Sequence, residues 1–422
     1  MKAFVTDGDE RSALAITRSL GRKGVSVVVG EERPVSLASS SRYCVRRVTY
    51  PSAYRHPEVF RHFLLSLVRR ERIDVVIPVT DVTTHAVCRS QDELRLHTSV
   101  AVPTVDAFED VSNKWKLVQK AATYGIPIPR TLFVDDGTAL TRVLDRVEYP
   151  AVVKPARSRI LTARGWVATT VQYAHCAADL RRIYQESEYL TAFPSLIQDR
   201  IVGSGLGLFA LFDRGRLVTA FAHRRLREKP PAGGVSVLRE SVPLDHDMTR
   251  HAVRLLAPLG WHGVAMMEYK QDRRTGQCFL MEVNGRFWGS LQLAIDAGIN
   301  FPYLICQLAL GQPPDVASTY RVGVKSRWLL GDLDHLLSRM RHSDRDLDLP
   351  DGAPSKTRAL LDFLKFTGPG LRYEVVDRDD LRPFLYELRK YANDLIHSRG
   401  SDASRISNPT NQTNPVVEGS GT

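Results

Sequence analysis

Hydrophobic residues along the first quarter of the chain form short apolar runs separated by amphipathic stretches. Apolar and β-branched residues fill Ala3–Thr6, Val25–Val29 and Ile73–Val79, and hydrophobic residues at helical spacing lie between these runs. Strands that alternate with helices are typical of a parallel sheet with helices packed on its faces. The pattern therefore predicts a doubly wound α/β domain over residues 1–110.

The pattern then changes to a mixture of helices and isolated strands. A helix is predicted from Lys114 to Tyr124, where Gly125 and a proline-rich connector end it. The strand Ala151–Lys154 and the helix Ala178–Glu188 follow. We expect these elements to form a first α+β subdomain over residues 111–190.

A β-hairpin is predicted next, with strands over Leu206–Phe212 and Leu217–Ala222 and a glycine-containing turn between them. It belongs to a second predicted subdomain over residues 191–312. Residues 313–400 are charged and mostly helical in pattern, which predicts a helical appendage. Residues 401–422 are rich in Ser, Asn, Thr, Gly and Pro, and they carry too few apolar residues to offset the entropy lost on ordering. A disordered tail is predicted there.

The net charge of +11, from 58 Lys and Arg against 47 Asp and Glu, suggests nucleic acid, an anionic membrane or small anions as partners. The basic residues are scattered, and no apolar stretch approaches the roughly 20 residues of a bilayer span, so we expect small anions and neither nucleic acid nor membrane. The five cysteines are widely spaced without a CxxC pair, and the first residues lack a secretory signal. These features predict a reduced, cytoplasmic setting.

The strongest chemical signal is a predicted hairpin with its turn at Thr275. An antiparallel register about that turn places Glu268 opposite Glu282, and the two-residue period of a strand puts Asn284 and Arg286 on the same face as Glu282. Facing carboxylates repel unless a cation lies between them, and with an amide oxygen they form the hard oxygen site that Mg²⁺ prefers. The alternative is a solvated hairpin face that carries two glutamates by chance.

Two lysines are candidates for phosphate binding. Lys114 begins its predicted helix and Lys154 ends its predicted strand, where a lysine can reach across a cleft to a phosphate. Each lysine taken alone is also compatible with an ordinary surface position. The Arg-containing segment Ser158–Gly165 is either a cover for the phosphates or an exposed loop.

Substrate contacts are predicted around a second basic region. His223 and Arg225 lie in a basic run that precedes the flexible loop containing Gly233 and Gly234. This region either binds a substrate carboxylate or phosphate, or forms a solvated turn. Ser290 can cap the helix that follows it, and the free amides of that helix would offer a further anion site.

Taken together, these residues resemble the ATP-grasp superfamily over Asp110–Gly311. The resemblance is carried by Met266-Met267-Glu268 together with Met281-Glu282-Val283-Asn284-Gly285-Arg286-Phe287-Trp288-Gly289-Ser290. It implies a combined α/β and α+β fold class, in which a doubly wound parallel-sheet domain is followed by an ATP-grasp fold whose two subdomains hold ATP between them.

The resemblance also implies roles for the matching cationic residues. Lys114 and Lys154 would contact the phosphates of ATP, and Arg286 would stabilise the phosphoryl group in transit. Lys154 and Arg286 are therefore the catalytic candidates. The hinge whose backbone would meet adenine comprises Gln198, Asp199, Arg200 and Ile201.

The implied metal ligands are the acidic and amide residues of the hairpin. Glu268 would bind one Mg²⁺, Glu282 would bridge two, and Asn284 would complete the second site. Two departures from the family pattern concern the nucleotide: Gly203–Gly207 supplies no acidic residue for the ribose, and the loop after Lys154 is poor in glycine.

Family chemistry implies that a substrate carboxylate attacks the γ-phosphate of ATP, and that an amine captures the resulting acyl phosphate with release of ADP and phosphate. The implied enzyme is an ATP-dependent carboxylate-amine ligase, similar in arrangement to the large chain of carbamoyl-phosphate synthase. Its cofactors would be ATP and Mg²⁺, with Mn²⁺ as an alternative metal, and its partners small-molecule carboxylate and amine substrates. A homodimer is left open. The alternative function is a regulatory ATP-binding protein without ligase activity.

Overall fold

A computed structural model describes residues 1–398 except residues 164, 232, 350 and 351, and the side chains of residues 137, 138 and 398 are not described. The predicted tail of residues 401–422 lies outside the described residues. The described strands form a four-stranded sheet near the N-terminus, a second four-stranded sheet, a seven-stranded sheet and a separate two-stranded hairpin. Helices of the described residues pack on these sheets, and none of them is long and apolar enough to cross a lipid bilayer.

The N-terminal unit contains β1 (Lys2–Val5), α1 (Arg11–Arg22), β2 (Ser26–Glu31), β3 (Cys44–Thr49), α2 (Pro57–Glu71), β4 (Val75–Ile77), α3 (Asp81–Arg89), α4 (Gln91–Arg95) and α5 (Val105–Ser112). Its strands are parallel and lie in the order β3-β2-β1-β4. Alternate residues of β1 enter two cores: Phe4 packs with residues of α2, whereas Ala3 and Val5 pack with residues of α1. Helices therefore cover both faces, and the predicted doubly wound parallel sheet is confirmed.

The middle unit contains α6 (Lys114–Thr123), β5 (Thr131–Val134), β6 (Ala151–Pro155), β7 (Arg159–Thr162), β8 (Gly165–Ala168), β9 (Gln172–Ala174), α7 (Ala177–Glu186), α8 (Glu188–Ala192) and β10 (Ser195–Asp199). Four of its strands form an antiparallel sheet in the order β5-β10-β6-β9, which has a hydrophobic core of its own. The hairpin β7-β8 contacts the N-terminal unit, because the backbone N–H of Trp166 donates to the carbonyl of Tyr54 at 2.9 Å.

The remaining elements are β11 (Gly203–Asp213), β12 (Arg216–Lys229), β13 (Val235–Ser241), α9 (His246–Leu256), β14 (Gly263–Asp272), β15 (Cys278–Asn284), α10 (Leu291–Ala297), α11 (Phe301–Ala309), β16 (Lys325–Arg327), α12 (Leu329–Arg341), α13 (Lys356–Phe363), β17 (Leu371–Tyr373) and α14 (Arg382–Ser398). The described residues also include 3₁₀ helices at Ala38–Ser40, Gly137–Arg142, Leu144–Arg146 and Ala257–Leu259. The large sheet has the strand order β15-β14-β11-β12-β13-β16-β17, and all neighbours are antiparallel except β16 and β17.

The C-terminal segment ties the N-terminal unit to the large sheet. It contains the helices α12, α13 and α14, and its strands β16 and β17 extend the large sheet. Buried Glu374 holds Arg11 of α1 and Arg239 of β13 at 2.5 Å each, and Asp380 lies 2.9 Å from Arg18 of α1. These ion pairs fix the two units against each other.

The hydrophobic cores show where a cleft can open. Each of the two larger cores contains residues of both the N-terminal sheet and the large sheet, so these two sheets belong to one packed body. The middle sheet packs around its separate core. No hydrophobic core of the described residues joins the middle sheet to the large sheet, so polar side chains can line the boundary between them. The candidate site lies at this boundary.

Candidate active site

The two hairpin glutamates face each other across neighbouring strands. In the register of β14 and β15, Glu268 pairs with Glu282 and Met266 pairs with Asn284. The register shifts by one residue between Glu268 and Tyr269, beyond the acidic pair. Because directly opposed residues in an antiparallel pair share a face of the sheet, the predicted alignment of the two carboxylates is confirmed.

Asn284 links the two carboxylates. Its Nδ2 donates to Oε1 of Glu268 at 3.2 Å and to Oε1 of Glu282 at 3.1 Å. A half-turn of the amide would present Oδ1 to the same space, which gives two carboxylates and an amide oxygen, a donor set that suits Mg²⁺. Among the described residues, no group of three or more His, Cys, Asp and Glu side chains is placed to hold a metal ion. A cation between these residues would therefore take further ligands from water or from nucleotide phosphates.

The two carboxylates differ in their electrostatic surroundings. Desolvation raises the pKa of Glu268, although Arg225 donates a hydrogen bond to its Oε2. Burial also opposes the ionisation of Glu282, but positive neighbours, of which Lys114 is the strongest, outweigh burial and lower its pKa to about 2. Nζ of Lys114 lies 3.4 Å from Oε2 of Glu282. Glu282 is therefore ionised at neutral pH, as a ligand shared by two cations must be.

Both candidate lysines reach the cleft from the middle unit. Lys114 is the first residue of α6, and its Nζ donates to Oγ of Ser158 at 2.6 Å. Lys154 lies on β6, with its Nζ 3.9 Å from Sδ of Met281 on β15. Desolvation lowers the pKa of Lys154 to about 8. The fold thus brings two ammonium groups of the middle unit to the acidic hairpin. Ser158, which begins the segment predicted to be either a phosphate cover or an exposed loop, contacts one of them.

Arg286 follows the hairpin and is held from the N-terminal unit. Its Nε donates to Oδ2 of Asp81 at 3.2 Å, and its Nη2 donates to Oδ1 of Asn284 at 3.3 Å. Asp81 is the first residue of α3 and lies just beyond the carboxyl end of β4. The sequence analysis missed Asp81. Its position directly after a predicted parallel strand is the signal that could have found it, because ligand sites of such sheets lie at the carboxyl ends of the strands.

The predicted hinge residues connect the middle sheet to the large sheet. Gln198 and Asp199 end β10, and Arg200 and Ile201 lead into β11. The side chain of Gln198 is buried and donates to Oγ1 of Thr131 at 2.9 Å. This short connector lies between the two subdomains, where the family resemblance implies a hinge. Its contact with adenine stays a prediction.

Arg225 lies beside the metal-ligand candidates and not at the open surface. It hydrogen-bonds Glu268, and its Nη1 lies 3.0 Å from Oε1 of Glu228. The same Nη1 donates to the carbonyl of Gly234 at 3.1 Å, and Gly233 next to it has a positive φ of 144°. Arg225 therefore balances the charge of Glu268 and also holds the Gly233–Gly234 loop, so its substrate contact stays a prediction.

The structure gives two corrections to the predicted substrate contacts. His223 is only 1% exposed, and its ring packs 4.6 Å from that of Phe209, so desolvation takes its pKa well below the ordinary value. A buried, neutral ring of this kind does not present a charge to substrate. Ser290 occupies the N-cap position of α10, but its side chain makes no capping hydrogen bond and is itself buried. The predicted capping role of Ser290 is therefore wrong.

Residues 196–330 match the family model described as "ATP-grasp in the biosynthetic pathway with Ter operon". The matched segment contains the hinge, the acidic hairpin and Arg286. A comparison with curated protein sequences finds no match.

Solved structures resemble most of the chain in fold. The L-amino acid ligase from Bacillus licheniformis has a TM-score of 0.58 at 16% identity, covering 74% of this chain and 74% of that chain. The N5-carboxyaminoimidazole ribonucleotide synthetase from Thermus thermophilus has a TM-score of 0.54 at 17% identity, covering 77% and 81%. The biotin carboxylase domain dimer of 2-oxoglutarate carboxylase from Hydrogenobacter thermophilus, solved with MgADP, ADP and bicarbonate, has a TM-score of 0.60 at 12% identity, covering 77% and 73%. The resemblance predicted from the sequence is thereby confirmed, and the chain has the ATP-grasp fold.

Proposed function

We propose that the chain is an ATP-dependent ligase that activates a substrate carboxylate as an acyl phosphate and joins it to an amine, with release of ADP and phosphate. One observation carries the proposal: Glu268, Glu282 and Asn284 of the large sheet face Lys114 and Lys154 of the middle unit within one cleft. The names of the similar structures, which include a ligase and a synthetase, support this class of reaction.

The charges of the cleft support binding of a nucleotide with its phosphates between the two units. Lys114 and Lys154 would contact phosphate oxygens as point charges. A bound phosphate would favour the protonated form of Lys154, whose pKa burial lowers to about 8. Glu268 and Glu282 would hold Mg²⁺, which when bound neutralises charge on the phosphates and on the group in transit.

Arg286 would act on the transferred phosphoryl group. Its guanidinium is held by Asp81, so its position is set before substrate binds. A substrate carboxylate is itself the nucleophile in the first step, so the protein has to position reactants and stabilise charge and need not supply a nucleophile. An amine then attacks the acyl carbon, and phosphate leaves.

A trapping assay tests the first step without knowledge of the amine. The full chain is incubated with ATP, Mg²⁺ and a panel of carboxylates in the presence of hydroxylamine, which converts an acyl phosphate to a hydroxamate. We expect hydroxamate and ADP to form together with at least one carboxylate, and Glu282→Gln to lower both together at limiting Mg²⁺. Binding of ATP in calorimetry without carboxylate-dependent hydroxamate or ADP would contradict the ligase proposal and favour the regulatory ATP-binding alternative.

A further inference from the structure

Within the part of the chain that the structure describes, the ammonium group of Lys114 makes one hydrogen bond. Its Nζ donates to Oγ of Ser158 at 2.6 Å, and it lies 3.4 Å from Oε2 of Glu282 as an ion pair. An ammonium group has three N–H donors and no acceptor. Ser158 takes one donor and Glu282 attracts a second, so one donor is left for a ligand in the cleft.

The side chain of Lys114 is enclosed although it carries a charge. It is only 9% exposed, whereas the neighbouring Ser158 is exposed. A charge that is taken out of water destabilises the fold unless a partner satisfies it. The Ser158 hydroxyl and the Glu282 carboxylate together offset the cost of enclosing this ammonium.

Backbone hydrogen bonds fix Ser158 relative to Lys114. The backbone N–H of Lys114 donates to the carbonyl of Ala156 at 2.7 Å, which ties the start of α6 to the segment that contains Ser158. The carbonyl of Ser158 accepts from the N–H of Thr169 at 3.1 Å, and Oγ1 of Thr169 donates to the carbonyl of Arg157 at 2.7 Å. Because Thr169 directly follows β8, the base of the β7-β8 hairpin holds Ser158 in place.

The hairpin is itself anchored on the N-terminal unit. Besides the backbone bond to Tyr54, the ring of Trp166 packs edge-on against that of His85, with their centres 5.1 Å apart. Nη2 of Arg157 donates to Oε2 of Glu109 on α5 at 3.3 Å. The position of the Ser158 hydroxyl therefore depends on contacts that reach the N-terminal unit.

We propose that Ser158 is a positioning residue, whose hydroxyl holds the Lys114 ammonium so that the remaining N–H donor meets a phosphate oxygen of ATP. The proposal rests on the proposed function, in which Lys114 contacts the phosphates. A long lysine side chain loses rotamer freedom when its ammonium binds a ligand. Because Ser158 and Glu282 restrict the ammonium beforehand, less freedom is lost on binding and the affinity for ATP is higher.

Lysine labelling tests the contact in the absence of nucleotide. The full chain is treated briefly with acetic anhydride, which acetylates amines, and mass spectrometry measures the rate at Lys114 relative to Lys116, which is 54% exposed. Ser158→Ala removes the hydroxyl, and Ser158→Thr keeps it. Thr123→Ala is the matched control, because Thr123 carries an exposed hydroxyl on the same helix that donates to a carbonyl one turn back.

Calorimetry with ATP and Mg²⁺ gives the second measurement on the same proteins. We expect Ser158→Ala to be labelled several-fold faster at Lys114, because the ammonium loses the acceptor that holds it. The dissociation constant for ATP should rise about 10-fold, the loss typical of a hydrogen bond to a charged group. Ser158→Thr should restore both values, and Thr123→Ala should behave as wild type.

Weaker ATP binding in Ser158→Ala with unchanged labelling of Lys114 would mean that the hydroxyl acts on the nucleotide directly, and it would overturn the positioning role. Faster labelling with unchanged ATP affinity would overturn it as well, as would wild-type behaviour in both measurements or a Ser158→Thr variant that behaves like Ser158→Ala. Each of these results leaves the ligase proposal intact. A wild-type protein that binds no ATP overturns the ligase proposal and the positioning role with it.

Discussion

Arg286 and Asp81 form an ion pair that joins the acidic hairpin to the N-terminal unit, with Nε of Arg286 3.2 Å from Oδ2 of Asp81. Arg286 follows β15, whereas Asp81 begins α3. The residue proposed to act on the phosphoryl group is thus oriented by a side chain from the doubly wound sheet. The N-terminal unit therefore completes the site and is more than a support for it.

Asp81→Asn should lower kcat and leave the KM for ATP nearly unchanged. The substitution removes the charge that orients the Arg286 guanidinium, and a misplaced group costs roughly 10- to 100-fold when it acts mainly in the transition state. Steady-state ADP release gives both constants, and Asp92→Asn, at a carboxylate that is 97% exposed, is the control. A raised KM with an unchanged kcat would assign the pair to ground-state binding of ATP instead.

Glu282→Gln should impair Mg²⁺-dependent turnover more than Glu268→Gln does. Positive neighbours lower the pKa of Glu282, whereas burial raises the pKa of Glu268, so Glu282 holds its negative charge more firmly. We expect the Mg²⁺ concentration for half-maximal ADP release to rise by about 100-fold or more in Glu282→Gln, since loss of an outer-shell partner of a metal ligand alone costs roughly 10- to 100-fold.

The control for the metal site is Glu240→Gln. Glu240 pairs with Arg224 at 2.9 Å, and the strand register places both on the opposite face of the same sheet from the Glu268 row. Wild-type Mg²⁺ dependence in Glu282→Gln would remove the metal assignment, and a shift in Glu240→Gln would trace the effect to the sheet as a whole.

The sequence predicts those features that depend on local pattern. The facing of Glu268 and Glu282 follows from one short hairpin, where the turn sets the register. The strands β1, β2 and β4 each contain an uninterrupted run of buried apolar residues, so their pattern stands out. By contrast, β3 was not predicted, because its sequence CVRRVT is that of an exposed edge strand.

Features that depend on tertiary packing could not be predicted in this way. The Arg286–Asp81 pair joins residues that are 205 positions apart in sequence. His223 lies in a basic run that suggests exposure, yet the neighbouring Gly207 lets its ring pack inward against Phe209, with Nε2 only 3.0 Å from where a Cβ on Gly207 would lie. The packing of the neighbouring strand decides which residues of this basic run are buried, and the sequence of the run does not reveal that packing.

Glu374→Gln should destabilise the protein by about 3–5 kcal/mol, the cost typical of breaking a buried ion pair by removing one partner. Glu374 is 3% exposed and holds Arg11 and Arg239 at 2.5 Å each, so its loss leaves two guanidinium groups without their shared acceptor. Urea unfolding measures the change. Asp377→Asn removes a more exposed partner of Arg22 and should cost at most about 1 kcal/mol. If both substitutions lowered the unfolding free energy equally, the buried ion pairs of Glu374 with Arg11 and Arg239 would not be especially stabilising.

Lys154→Met should stabilise the ligand-free protein at neutral pH and abolish ATP binding. Desolvation lowers the pKa of Lys154 to about 8, below the value of about 10.4 that a lysine has in the unfolded chain. Below pH 8 the residue is protonated in both states, so the folded state carries the whole cost of enclosing the charge. Between pH 8 and about 10.4 the folded state loses its proton first, and that cost disappears. Methionine has a similar length and no charge.

The gain in unfolding free energy of Lys154→Met should therefore be largest at pH 7 and small at about pH 10 and above. Urea unfolding at both pH values measures it, and calorimetry at pH 7 measures ATP affinity. The control is Lys116→Met, since Lys116 is 54% exposed and pairs with Asp110 at 2.8 Å. That variant should gain no stability and should bind ATP as wild type does.

If Lys154→Met were less stable than wild type at pH 7, the ammonium would be a structural ion-pair partner of Glu282. If it kept wild-type ATP affinity, Lys154 would not contact the phosphates. Stabilisation together with lost binding would show that this lysine is held in an unfavourable place because ATP needs its charge there.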